Sequence, residues 1–575
     1  MKFTKIFHFF LIISIIVLSF LRFYKLTDVP ASLFSDEVDI GYQVKSLLST
    51  GKDYQGNYLP LQFHSFSDVR TPLPIYSTAF ISMIPGISVD RAIRLSPALF
   101  SLVGLVGIYL LTNIILRNSK VISRDDITPG LIAAFLLAIS PWHFTYSRTG
   151  FELSMLFAFI SLGLYFLFSF LESHKLTQLV ISALFLSLSP AVYSTAKLSI
   201  ILLPLLFIGI PTFIKDLRSK LPLKFFILFI FVPLLVLLLN GGAGKRFSEI
   251  AIYTDPTLST QTDYLRQMDL GKKLVVGSSP SLASKISHNK PLMIVTAFTK
   301  NLIGSISANY LFASGDTNLR HAVPGWGMLL KSSLILILIG LYKLISNNQN
   351  RLLYLLGILV VISIAPSALT RDGSTHSSRT FLLLIPLIII GSYGFYSLMK
   401  NKIITVILLL FVLFESFLYL HDYFIHYPLL SEKDFHASLR ELVSEVNKYP
   451  DRPIVITRTY EPSLIFFLYY TDFPPAIAQN LIPKNKLTED ITEDLNLEGV
   501  MISGTNIYLA NVRDFGRKDP LVVKDAVYVI PAINAAGLVT GNYATKISDI
   551  YLPSGLLMFS TITPATPSAA TSQSI

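Results

Sequence analysis

The 575-residue sequence contains no cysteine. Disulfide frameworks, thiolate metal sites and cysteine nucleophiles are therefore excluded. Charge is scarce as well, at 14% Asp, Glu, Lys and Arg, against about 25% in an ordinary soluble domain. With 52% hydrophobic residues, a purely water-soluble protein is excluded too. No P-loop, GxGxxG, HExxH or nucleophile elbow stands in a supporting context, so nucleotide binding, zinc proteolysis and serine hydrolysis lack their usual signatures.

What the sequence has in quantity is apolar runs of about 20 residues, the length that crosses a hydrocarbon core. Eleven spans are expected, at 6–24, 92–116, 129–147, 151–171, 176–192, 198–214, 223–240, 323–345, 352–370, 380–399 and 403–420. The first follows Lys2 and Lys5 like a signal peptide but ends in Leu21-Arg22-Phe23-Tyr24, with no small-x-small cleavage site. It is expected to stay as an anchor.

The formal net charge is +11. With a cytoplasmic N-terminus, the inner segments hold fourteen bases and four acids, an inner net of +10. Nearly all of the excess is then a positive-inside signal, and a nucleic-acid partner is not implied. Eleven spans put the C-terminus outside, together with three long segments, 25–91, 241–322 and 421–575. The chemistry is expected on that outer face. Lys331 and Glu415 are the main charges within spans, each near an outer end, which argues against a proton-coupled transporter.

In the first outer segment Ser35 reads as an N-cap, Asp36 and Glu37 fall in the first turn, and Ile40, Val44, Leu47 and Leu48 recur at helical spacing until Gly51. This pattern predicts an amphipathic helix on the membrane surface. Residues 72–88 are apolar but short, and read as a second interfacial or re-entrant piece. The last segment regains soluble composition, with a helical stretch at 432–448 and strand-like runs at 453–457, 498–502 and 521–530. The fold class is thus an α-helical polytopic membrane protein, 1–420, with a small extracytoplasmic α/β domain, 421–560. The Thr/Ser/Pro/Ala-rich tail 561–575 is expected to be disordered.

The leading chemical motif is Ser35-Asp36-Glu37-Val38-Asp39. Paired carboxylates on one helix turn serve as a general base with a neighbour, or as ligands of a divalent metal. The same acids are also favoured in any first turn by the helix dipole. A second set is basic and recurs at outer ends: Arg70, Arg94, Arg148, Lys197, Arg371 and Arg379, with His376. Arginine grips two phosphate oxygens at once, so Arg70, Arg371 and Arg379 are candidates for a lipid phosphate. Asp39, Arg148, Lys197 and His376 are candidate substrate contacts. Singly, each base also fits an interfacial anchor. His64, His321 and His376 show no metal-ligand spacing.

An acidic pair in a long first outer loop, then Arg70-Thr71-Pro72-Leu73, RAIRLSPAL (Arg91 to Leu99) and SPWHFTYSR (Ser140 to Arg148), resembles the C-type integral membrane glycosyltransferases. The nearest groups are protein O-mannosyltransferase-like enzymes and the aminoarabinose transferases of lipid A. The elements GDTNLRH and THSSR resemble bacterial members of the same group. The resemblance covers 1–420 in layout and is at motif level in 1–200. It departs at Val38-Asp39-Ile40-Gly41-Tyr42, where the mannosyltransferase pattern has His-Phe-Gly, and 421–575 carries no family motif. The resemblance implies inverting transfer of a sugar from a polyprenyl-phosphate donor to a lipid, glycan or protein acceptor, on the outer face of a bacterial cytoplasmic membrane. Asp36 matches the family's catalytic acid, with Glu37 as its neighbour, and Arg70 matches its donor-phosphate contact. A lipid-linked sugar flippase and a non-catalytic polyprenyl-phosphate-binding protein are the other classes left open.

Overall fold

A computed structural model describes residues 2–65, 69–194, 196–206, 250–271, 279–371, 373–457, 463–481, 499–501, 506–510 and 525–565. Packing divides the chain into two units, one of 1–24 with 97–423 and one of 25–96 with 424–575. The first outer segment thus packs with the C-terminal segment, where the sequence reading divided the chain at 420.

The first unit is helical. Among the described residues, six helices are long and apolar enough to cross a membrane: Phe3–Leu21, Val89–Asn118, Leu153–Ser173, Asn350–Ala368, Ser377–Leu398 and Lys402–Leu430. The protein is an integral membrane protein with apolar side chains turned outward, among them Ile6, Phe9, Phe20, Ile407, Phe414 and Phe417. Such a surface suits lipid and not water. Shorter apolar helices fill other expected positions, Thr128–Ile139, Leu176–Ala191 and Ala196–Leu206. The expected span 223–240 and residues 207–214 of the span expected at 198–214 lie outside the described residues. The span expected at 323–345 begins instead at Lys331, because Pro324-Gly325 interrupts the run and Gly325 has a φ of 79°.

Close helix packing needs small residues. A side chain on Gly340 would strike the Ile390 carbonyl, and one on Gly394 the Leu336 carbonyl, so the helices Lys331–Ser346 and Leu384–Leu398 meet backbone to backbone. Glu415, one of the two main charges within the expected spans, is held inside the protein. It is buried and accepts from the backbone N–H groups of Lys331 (2.7 Å) and Ser332 (2.9 Å), closing the positive end of that helix.

The expected span 129–147 is broken. Ser140 is extended and Pro141 opens a separate short helix, Pro141–Tyr146. Trp142 N–H turns to the Met328 carbonyl (3.0 Å), leaving the Ala138 carbonyl without its helical donor. Buried Arg22 supplies one, at 3.0 Å, and a second bond at 3.3 Å to the His143 carbonyl.

The second unit contains a two-stranded hairpin, β1 (Phe63–His64) with β2 (Val69–Arg70), and a six-stranded mixed sheet. The sheet strands are β3 (Ile454–Ile456), β4 (Gly499–Met501), β5 (Ile507–Ala510), β6 (Val527–Pro531), β7 (Ala544–Tyr551) and β8 (Leu557–Pro564), in the order β4-β5-β3-β6-β8-β7. The central β3 runs parallel to β5 and β6, and the other pairings are antiparallel. Three consecutive β-branched residues, Thr561, Ile562 and Thr563, carry the last strand through Pro564, so Thr561–Pro564 is ordered structure and not tail. Residues 566–575 lie outside the described residues.

The helix Ser35–Thr50 does not behave as a surface helix. Its residues Glu37 to Val44 are buried on every face. Val38, Tyr42 and Val44 share one core with Leu439, Val443, Phe466 and Phe559, so its apolar stripe is covered by the C-terminal segment.

Candidate active site

Three acids leave the first turns of the Ser35–Thr50 helix, and their surroundings differ sharply. The helix starts one residue earlier than the sequence suggested, with Ser35 inside its first turn. Phe34 is the N-cap and has no side-chain cap; instead its N–H donates to the Glu37 carboxylate at 3.2 Å. At the far end Gly51 closes the helix with φ 72°.

Glu37 faces inward. Its carboxylate takes a two-point ion pair from Arg94, Nε to Oε1 at 2.9 Å and Nη2 to Oε2 at 3.1 Å, both side chains being fully buried. Arg94 also donates to the carbonyls of Leu26 (3.1 Å), Pro30 (2.9 Å) and Ser32. One guanidinium therefore ties the helix start to the irregular chain 26–32. Both Glu37 oxygens are engaged at zero exposure, which leaves no open position there for a substrate or a metal.

Asp36 and Asp39 share Arg70. The β1–β2 pairing, Phe63 opposite Arg70, sets this arginine at the end of the hairpin. Thr71 is then extended, and Pro72 and Pro74 start the helix Pro72–Ser82. Arg70 Nη2 donates to Asp36 Oδ1 at 2.9 Å, and Arg70 Nε to Asp39 Oδ2. Asp39 Oδ1 accepts from the Tyr54 hydroxyl at 3.0 Å. Burial pushes the Asp39 carboxyl up from its usual range, with the Arg70 charge and the Arg70 and Tyr54 hydrogen bonds opposing it. Burial, followed by the Asp39 charge, likewise raises the Tyr54 phenol far above its ordinary value.

Exposure separates the three acids. The Asp36 side chain is 39% exposed, Asp39 3% and Glu37 0%. Asp36 is the carboxylate of the cluster that an incoming molecule reaches.

The C-terminal segment fixes this helix in register. Tyr42 donates to the Phe473 carbonyl (2.9 Å), Lys45 to the Tyr469 carbonyl (3.0 Å), and Gln479 Nε2 to Ser46 Oγ (3.0 Å), Thr50 Oγ1 (2.7 Å) and the Asp53 carbonyl (3.0 Å). Gly41 is required because a side chain there would strike the Tyr469 ring. Inward-facing Gln43 donates to the His64 carbonyl at 3.0 Å, linking the helix to the hairpin that carries Arg70.

The remaining sequence candidates belong to the first unit. Arg148 is buried and donates to the carbonyls of Leu21 (2.6 Å) and Arg22 (3.0 Å), closing the C-terminal end of the first helix. Lys197 is half-buried at the start of Ala196–Leu202. Arg371 is exposed, and Arg379 donates to Thr370 Oγ1 at 2.8 Å. His376 lies beside His321 and Asp316, a grouping across 60 residues that no spacing rule suggests.

No family model matches the chain, and no curated protein matches it. Solved structures similar to it include the Archaeoglobus fulgidus oligosaccharyltransferase in the apo form, at 12% identity and TM-score 0.46 over 96% of this chain and 74% of that one. Another is the oligosaccharyltransferase AglB of the same organism with an inhibitory peptide and a dolichol-phosphate, at 14% identity and TM-score 0.47 over 97% and 74%. A third is ArnT from Cupriavidus metallidurans bound to undecaprenyl phosphate, at 11% identity and TM-score 0.41 over 96% and 97%.

Proposed function

We propose that the protein transfers a sugar, with inversion, from a polyprenyl-phosphate donor to an acceptor hydroxyl on the extracytoplasmic side of the membrane, with Asp36 as the general base. The observation that carries this reading is the contrast among the three acids: Asp36 alone is open to an incoming molecule, while Asp39 and Glu37 are enclosed with arginines. In the step proposed, Asp36 accepts the acceptor's hydroxyl proton, the acceptor oxygen bonds to the anomeric carbon, and the bond from that carbon to the phosphate oxygen breaks. Polyprenyl phosphate leaves with the electron pair.

Glu37 is assigned a positioning role through Arg94. Arg70, whose Nε and Nη2 both meet carboxylates, is assigned to orient Asp36 in place of the phosphate contact expected from sequence. Arg371 and Arg379 keep the donor phosphate in this proposal, on the chemistry of guanidinium and phosphate. The N-terminus is placed in the cytoplasm and the unit of 25–96 with 424–575 outside, on the charge of the short connections.

Mass analysis of lipid-linked sugars and envelope glycans tests the reading in cells with and without the protein. Loss of one glycosylated product together with accumulation of one polyprenyl-phosphate sugar is expected. Unchanged pools of both overturn it.

A further inference from the structure

We infer that Asp316, His321 and His376 form a divalent transition-metal site in the first unit, of the kind that takes zinc. One ligand atom from each residue lies within 4.8 Å of the others. Asp316 and His321 are buried, and His376 is half-buried. Two imidazoles and one carboxylate are the donor set of many three-ligand zinc sites that keep a fourth position open.

The hydrogen bonds around the cluster decide which atoms are available. Ser377 Oγ donates its one proton to Asp316 Oδ2 at 2.8 Å, and Ser377 N–H donates to the same oxygen at 2.9 Å. The Tyr146 hydroxyl is 2.8 Å from Ser377 Oγ and 2.8 Å from His321 Nδ1. Since the Ser377 proton is already used, Tyr146 donates to Ser377, and its oxygen accepts from His321 Nδ1–H. His321 is thereby fixed in the tautomer whose Nε2 carries the lone pair, the form a metal takes.

His376 is supported in the same way, its Nδ1 lying 2.9 Å from Ser378 Oγ, which is 3.0 Å from the Tyr193 hydroxyl. Asp316 Oδ1 accepts from Asn318 N–H at 3.0 Å, which holds the carboxylate at the turn of GDTNLRH. Every candidate ligand is thus oriented by a second group, as in established metal sites. Arg320 and Arg379 add positive charge near His376, which suits an anionic group or hydroxide in the open position. The assignment does not depend on the glycosyl-transfer reading.

The test uses the full chain in detergent, purified through a tag without histidine, equilibrated with zinc and dialysed without chelator. Metal analysis is expected to find about one zinc per chain, and cobalt substitution to give visible d–d absorption of a four- or five-coordinate site. Asp316→Asn and His376→Ala should lose the bound metal. Tyr146→Phe removes the acceptor of His321 Nδ1–H and should weaken zinc about 10–100-fold. His64→Ala, in the other unit, should bind as the wild type does. A wild-type protein that retains no zinc and shows no cobalt spectrum overturns the site without reference to any variant, as does Asp316→Asn binding at wild-type affinity.

Discussion

Replacing Glu37 with glutamine separates a structural from a chemical role for the second acid of the motif. The wild-type carboxylate meets Arg94 at 2.9 and 3.1 Å, with both side chains at zero exposure. Glutamine keeps the size but removes the charge, leaving a buried guanidinium bonded only to neutral oxygens. Removing one partner of a buried ion pair costs about 3–5 kcal/mol. The unit that contains it has roughly 220 residues, a size at which 1 kcal/mol moves the melting midpoint by about 2–4 °C. The expected fall is therefore about 6–20 °C, read by thermal unfolding of the purified protein. Arg94→Met should fall at least as far, because the carbonyls of Leu26, Pro30 and Ser32 also lose a donor. Below the lowered midpoint, Glu37→Gln should retain transfer. Abolished transfer with an unshifted midpoint would refute the reasoning and return Glu37 to the chemistry.

Three further outcomes follow from the same geometry. Because the chain has no cysteine, single cysteines report topology cleanly: exposed Ser88→Cys and Ala536→Cys should label from outside and exposed Ser123→Cys only after permeabilisation, and outside labelling of Ser123→Cys defeats the orientation. Arg70→Lys should lower turnover less than Arg70→Ala, since a point charge holds one of the two carboxylates but not both; equal losses contradict a two-point role. Because burial raises the Asp39 carboxyl, the native state holds that proton more tightly than the unfolded chain. This contribution to stability is present below the unfolded value near 3.9 and is lost as pH rises through the folded value. The melting midpoint of Asp39→Asn relative to wild type should therefore rise with pH, and a relative midpoint that falls with pH contradicts that sign.

Helix positions were legible in the sequence wherever a long apolar run had no interior breaker, as at Leu153–Ser173 and Lys402–His421. They were misread where a proline or glycine pair interrupted the run, at Pro141 and at Pro324-Gly325. The strand runs at 453–457, 498–502 and 521–530 contain β3, β4 and part of β6, because β-branched residues concentrate there.

What one sequence does not carry is pairing at a distance. Gln43, Ser46 and Asp39 made the Ser35–Thr50 helix look like a surface helix with a wet face. Their partners are His64, Gln479, Tyr54 and Arg70, and only those partners make burial of polar groups tolerable. The acid cluster was legible as a motif, yet the sequence could not tell which of its acids faces outward. Arg94 by itself fits an interfacial anchor, and its partner Glu37 lies 57 residues away in the sequence. His321 and His376 looked separate for the same reason.

The central claim is that Asp36 moves a proton during transfer, and the most direct measurement is turnover of Asp36→Asn. Wild type and variant, reconstituted with membranes that supply lipid-linked sugars, are compared for release of polyprenyl phosphate and for retained donor binding. Asparagine keeps the shape and an oxygen for Arg70 but cannot take the acceptor's proton. A loss of about 10²–10⁴ in rate, with donor binding and protein abundance preserved, is the result expected. Near wild-type turnover would contradict it, and would leave Asp36 as a first-turn acid favoured by the helix dipole.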